Sequence, residues 1–284
     1  MSDRETRNHS EVTDFILVGF RVCPELHSLL FLLFLKDPWL NTPMYFFLGS
    51  LSFIDLFYSS VIAPKAMINF WSESKSISFA GCLTQLFLFT FFIVTEGFLL
   101  AVMAYDRFIM STRLCVQLVA GSHFCGCISS ILQTSMTFTL SFCASQAIDH
   151  FYCDTCPLQR LSCSDLFILR MVSFTLSGLI TFPTIRVIIV SYLYIVSTVL
   201  KIPSTKGRQK AFSTCSSHLG VASVLYGAGF FMYLTPDTYP ELSKVASLCY
   251  TLVTPMLNPL IYSLRNKDVK EALYKLLEKK SIIL

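Results

Sequence analysis

The chain has 284 residues, 54% of them hydrophobic, 14% aromatic and only 14% charged, and its mean hydropathy is +0.61. A soluble domain carries about 25% charged residues, so these figures exclude an ordinary soluble domain and a disordered chain and point to a multi-pass membrane protein. The net charge of +4 matters through its placement: the basic residues border apolar runs, their ordinary position beside a membrane, and imply no nucleic-acid partner.

Residues 1–27 form a polar tail without an apolar signal-peptide core. The tail holds an N-glycosylation acceptor triplet, Asn8, His9 and Ser10. Residues 28–35 are apolar but are stopped by Lys36, Asp37 and Pro38. So short a helix reaches only about 12 Å against a hydrocarbon core of about 30 Å, so it is a stub. Complete spans are expected at 44–64, 82–105, 114–142, 171–200, 211–234 and 245–264. Residues 201–210 read as a short basic connector. In the tail at 265–284, Val269, Ala272, Leu273, Leu276 and Leu277 share one helical face, with lysines elsewhere. That segment is expected to lie along the cytoplasmic membrane surface. The expected fold is an all-α membrane protein, a helix bundle over 28–264 with six complete spans plus a first-helix stub. With these spans, 13 Lys and Arg fall on one side and 8 on the other, and the richer side is cytoplasmic.

No expected span carries more than one charged or histidine side chain, so each one is informative. Asp55 and Glu96 lie within their spans, where an acid costs about 2.5–3.5 kcal/mol on insertion scales and by default faces the bundle interior. Two such acids facing each other must share a cation or a proton, since both cannot ionise unpaired; separate, protonated acids are the alternative. Arg186 sits midway along another span with no acid near it in sequence. Asp106 and Arg107 stand at the foot of one span, and Asn258 and Pro259 break the last. Cys143, Cys153, Cys156 and Cys163 crowd the long 143–170 loop, and Cys82 opens a span. Cysteines on the luminal side oxidise; a zinc set of His150 with Cys153, Cys156 and Cys163 is the other reading of that spacing.

Several motifs in order carry a family resemblance. They are Thr42-Pro43-Met44-Tyr45-Phe46-Phe47-Leu48, Leu51-Ser52-Phe53-Ile54-Asp55, Pro64-Lys65, Met103-Ala104-Tyr105-Asp106-Arg107 and Ser162-Cys163-Ser164-Asp165. Ser191-Tyr192, Lys210 to His218, Pro255-Met256-Leu257-Asn258-Pro259 and Tyr262 to Lys267 follow. The chain resembles vertebrate olfactory receptors over nearly its whole length. Two departures stand out: the first helix is truncated by roughly two dozen residues against the family pattern, and the second cytoplasmic loop is shortened after Phe108.

The resemblance implies a rhodopsin-like receptor that binds a small volatile odorant within the bundle. Such a receptor activates a heterotrimeric G protein of the stimulatory, olfactory type and sits in membrane lipid as a multi-pass plasma-membrane protein. The truncation raises retention in the endoplasmic reticulum as a second fate. The resemblance implies a G-protein switch at Asp106, Arg107, Tyr192, Asn258, Pro259 and Tyr262. It also implies a sodium site at Asp55, Glu96 and Asn258 and disulfides Cys82–Cys153 and Cys143–Cys163; the Asn8 triplet takes a glycan only if the tail reaches the lumen, and six crossings with a stub that does not cross would keep it cytoplasmic. It places the odorant among Phe89, Thr90, Ile93, Val94, Leu176, Ser177, Ile180, Gly229, Phe230 and Tyr233. No other cofactor and no enzymatic activity are expected. Two other readings stand beside it: a truncated, non-signalling member of the same family, and, more remotely, a membrane transporter. A transporter should show interrupted helices in matching halves, and none is read here.

Overall fold

A computed structural model describes residues 43–71, 77–105, 111–142, 148, 150–201, 203–234 and 240–263. The expected stub at 28–35, the Asn8 triplet, Asp106, Arg107, Cys143 and the amphipathic tail lie outside the described residues.

The described chain is nearly all helix: α1 Pro43–Trp71, α2 Phe79–Tyr105, α3 Thr112–Phe138, the short α4 Thr155–Arg160, α5 Phe167–Val199, α6 Thr205–Leu234, α7 Pro240–Leu248 and α8 Thr254–Ser263. A π-turn, Cys249–Val253, joins α7 to α8 in one continuous rod. Three helices, α2, α3 and α5, are long and apolar enough by length and composition to cross a membrane, and α1 carries a shorter apolar stretch, Phe46–Ile62. Helices suit this setting because each satisfies its own backbone groups where no water can.

Several helices begin or end away from the expected apolar limits. The helix expected from residue 211 starts at Thr205, anchored by Ser204, whose hydroxyl accepts from the Gly207 N–H at 3.3 Å and whose carbonyl accepts from the Arg208 N–H at 3.0 Å. Lys, Arg and Gln are good helix formers, so the helix runs on past the apolar stretch; hydropathy marks where lipid begins, not where a helix does. Phe167 likewise opens α5 ahead of the apolar run, its N–H bonded to Asp165 Oδ1 at 2.9 Å. In contrast, α3 stops at Phe138, short of residue 142.

The π-turn follows from Pro255. Proline has no N–H to donate, and its ring crowds the carbonyl four residues back. The wider turn before it absorbs both defects, with the Thr254 N–H bonding back to the Cys249 carbonyl.

Helix α2 is the hub, packed against α1, α3, α5 and α6. It meets α3 at Gly126, where an added Cβ would stand 2.9 Å from the Phe91 carbonyl oxygen. Two buried clusters result. The larger one gathers α1, α2, the start of α3, the 150–158 segment, α6 and the π-turn around Phe47, Tyr58, Leu86, Phe89, Tyr152 and Tyr250. The inner one joins Ala101 and Ala104 of α2 to Ile188, Tyr192, Ile195 and Val199 of α5 and Cys215 and Ala222 of α6.

Candidate functional site: a roofed cavity above a buried acid pair

A cavity of about 410 Å³ opens between α2, α3, α5, α6 and the π-turn. Phe89, Thr90, Ile93 and Val94 line it from α2, Leu176, Ser177 and Ile180 from α5, and Gly229 and Phe230 from α6. The structure thus brings nine of the ten expected odorant contacts to one space; the side chain of the tenth, Tyr233, lies outside the described residues.

The roof is the 148–166 loop. A disulfide joins Cys82 to Cys153, with Cα atoms 5.4 Å apart, and pins the loop to the outer end of α2. Gln85, one turn further along α2, strengthens the tie. Its Oε1 accepts from the Cys153 N–H at 2.9 Å and its Nε2 donates to the Val61 carbonyl of α1 at 3.1 Å. Cys163 is also disulfide-bonded, and its N–H bonds the Ser141 carbonyl at 3.0 Å, closing the loop back on the end of α3. With Cys153 committed to sulfur, the zinc set fails, and no group of three or more His, Cys, Asp or Glu side chains placed to hold a metal occurs among the described residues.

Within the roof, Tyr152 donates to Asp154 Oδ2 at 3.0 Å, and the Tyr152 and Tyr250 hydroxyls meet at 2.6 Å. A phenol has one proton to give. Tyr152 spends its proton on Asp154, so Tyr250 donates to Tyr152. Burial, followed by the adjacent Asp154 carboxylate, pushes the Tyr152 hydroxyl well above the ordinary tyrosine pKa, and it stays a donor at any physiological pH. Phe89 packs its ring at a tilt against both tyrosines, with centroids 5.0 and 6.0 Å away.

At the floor, the Tyr226 hydroxyl donates to the Gly97 carbonyl at 2.9 Å, beside Glu96. Asn258 of α8 bridges the two acids. Its Nδ2 lies 3.2 and 3.0 Å from the Asp55 oxygens and 3.0 Å from Glu96 Oε1. Asp55 and Glu96 are fully buried and Asn258 is 2% exposed. Glu96 Oε2 and Asn258 Oδ1 are buried without a hydrogen-bond partner, so two acceptor oxygens are left to face a cation or a proton. That donor set fits a hard cation, which takes oxygen ligands.

Other expected residues fall elsewhere. Tyr192 is buried in the inner cluster with its ring 5.6 Å from that of His218. Pro259 and Tyr262 lie in α8, with only their backbone described. Arg186 is exposed on α5.

Sequence reasoning did not single out Gln85, Gln133, Asp154, Tyr226 or Tyr250. Two of these carry a usable signal: a glutamine within an apolar span needs an internal partner, which Gln85 finds in Val61 and Cys153 and Gln133 in Thr155 and Ser173.

The family model for olfactory receptors matches residues 27–280. The chain is 75% identical to human olfactory receptor 9K2, covering 100% of this chain and 93% of that one. The chain belongs to the olfactory receptor family. It is also 47% identical to human olfactory receptor OR9H1 (97% of this chain, 99% of the relative) and 46% identical to human olfactory receptor 5AP2 (98% of each). The fold matches squid rhodopsin with a TM-score of 0.58 at 16% identity, covering 96% of this chain and 87% of that one. Olfactory receptors are multi-pass, non-enzymatic signalling receptors, and the resemblance read from the motifs holds; the transporter reading is not favoured. The alignment with olfactory receptor 9K2 runs over 313 positions against 284 residues here, a difference of 29, in keeping with internal stretches that this olfactory receptor lacks.

Proposed function

We propose that this olfactory receptor binds a small volatile odorant in the cavity beneath the 148–166 loop and passes the signal to a stimulatory, olfactory-type heterotrimeric G protein at the plasma membrane. The carrying observation is the roofed, mainly apolar cavity on which nine expected contact residues converge. Its volume falls within the 300–1,000 Å³ typical of small-molecule sites. Below it, Tyr226 and Gly97 link the cavity floor to the acid pair, and Asn258 links that pair to α8. A bound ligand that shifts α6 therefore acts on the last helix through buried polar contacts.

In this reading Asp106, Arg107, Tyr192, Asn258, Pro259 and Tyr262 form the switch facing the G protein. Asp55, Glu96 and Asn258 hold a sodium ion, whose single charge offsets one buried carboxylate while the other acid keeps its proton. Cys143 partners Cys163, and Asn8 carries a glycan where the N-terminal tail is luminal. The test is odorant-evoked cyclic AMP in cells expressing this chain, beside a version with the missing first-helix and second-loop residues restored, both surface-labelled. A ligand-dependent rise in both supports the proposal. A rise in the restored version alone makes this exact chain a non-signalling member of the family, and silence in both across a broad panel overturns the reading.

A further inference from the structure

Asp154 is the only charged side chain lining the cavity among the described residues; no lysine, arginine or histidine faces it there. Asp154 is 8% exposed, so its carboxylate sits at low dielectric, where an unmatched charge is costly. A carboxylate offers about four acceptor positions. Oδ1 takes the Thr155 N–H at 2.7 Å, and Oδ2 takes the Tyr152 hydroxyl at 3.0 Å, with Tyr250 more distant at 3.4 Å. The protein thus leaves acceptor capacity on the one anion in the cavity. The walls away from it, Ile93, Phe174, Ile180, Phe182 and Phe230, are apolar. The space has two poles: an acceptor-rich anion under the roof and an aromatic and aliphatic body below it.

We infer that Asp154 is the specificity-determining anchor of this cavity, selecting ligands with an apolar body and a hydrogen-bond-donating head, a hydroxyl or an ammonium, and rejecting carboxylates. The inference rests on the odorant reading of the same cavity and adds the ligand's chemical class. The head group donates to the open acceptor positions of Asp154 while its tail lies against the α5 and α6 walls. A carboxylate head would face Asp154 with no cation to separate the two, and like charges brought together in a binding site are strongly disfavoured. An aldehyde has nothing to donate and gains only the apolar contacts.

The experiment titrates the purified full chain in lipid nanodiscs with hexanol, hexylamine, hexanal and hexanoate, reading Kd and the thermal midpoint. Hexanol or hexylamine is expected to bind roughly 10-fold or more tighter than hexanal, with hexanoate weakest; whichever donor wins assigns the head as neutral or cationic. Asp154→Asn keeps an oxygen for the Thr155 N–H, since Asn and Asp cap equally well, but removes the charge. In Asp154→Asn, the donor ligands are expected to weaken roughly 10-fold, hexanal to hold within about threefold, and hexanoate to begin to bind. A merely structural aspartate would weaken all four ligands together and would not admit hexanoate, and that result overturns the inference. The ranking on the unmodified chain decides even if the variant does not fold: hexanal or hexanoate binding best sinks this inference and leaves the odorant reading standing. A folded chain that binds none of the four ligands, nor any member of the odorant panel, sinks both.

Discussion

The outer and inner halves of the bundle are held in different ways. The outer half is tied by a disulfide and directional bonds: Cys82 to Cys153, Gln85 to the loop and to α1, Asp154 to Tyr152 and on to Tyr250. The inner half meets through small and aliphatic side chains, Ala101, Ala104, Ile188, Ile195, Val199 and Ala222, with the Tyr192–His218 ring contact among them. Lipid is as apolar as leucine, so no hydrophobic force drives such helices together and van der Waals packing carries the contact. A cavity that must recognise one shape gains from rigid ties; a surface that must change on signalling gains from contacts that can slide. The acid pair and Asn258 lie between the two halves.

Five variants test that contrast. Cys82→Ser is expected to have the largest effect, lowering stability by about 2–4 kcal/mol and abolishing delivery to the cell surface; thermal unfolding in nanodiscs and surface labelling report it, and an unchanged midpoint would mean that the roof does not depend on this bond. Arg186→Leu runs the other way. Arg186 is exposed on α5, and an arginine at mid-span costs about 2.5–3.5 kcal/mol, so its replacement is expected to raise membrane insertion and folded yield; equal yields would show that the arginine is compensated. Gly126→Leu forces side-chain atoms against the Phe91 carbonyl and is expected to cost about 1–3 kcal/mol. Gly121 has nothing within 4 Å of an added Cβ, so Gly121→Leu supplies the control. Gln85→Leu leaves the Cys153 N–H unmatched and strips the Val61 carbonyl of its side-chain donor, a loss of about 1–3 kcal/mol; hydrogen exchange localised to the loop is the direct readout. Tyr192→Phe keeps the ring stacked on His218 and is expected to change stability by less than about 0.5 kcal/mol while weakening G-protein activation. A matched loss of stability would move Tyr192 from the switch to simple packing.

Some elements were legible in one dimension because their physics is local. Apolar runs bounded by charge declare spans, and the two acids inside them declare a polar interior, because lipid penalises a misplaced charge wherever the chain goes next. Asp55 and Glu96 were therefore readable as inward-facing before any coordinates, while their grouping with Asn258 and the ring of cavity faces came from the family resemblance. Helix ends were less legible. The Lys- and Arg-bearing start of α6 at Thr205 is polar, so the hydropathy that marks the membrane says nothing about where hydrogen bonding begins. Asp154 was hidden because it lies in a loop, adjacent in sequence to a cysteine that drew the attention, and only the disulfide swings it over the cavity.

The sequence by itself determined the family, the helical class and the acids that lipid would force inward, since each follows from composition and from motifs in order. Tertiary structure alone decided that Gln85 and Gln133 find partners across the bundle, that Tyr250 completes a chain to Asp154, and that Arg186 faces outward. Those outcomes depend on how the helices rotate and pack against one another, and rotation is settled by the sum of many weak contacts between residues far apart along the chain, which no local stretch of residues encodes.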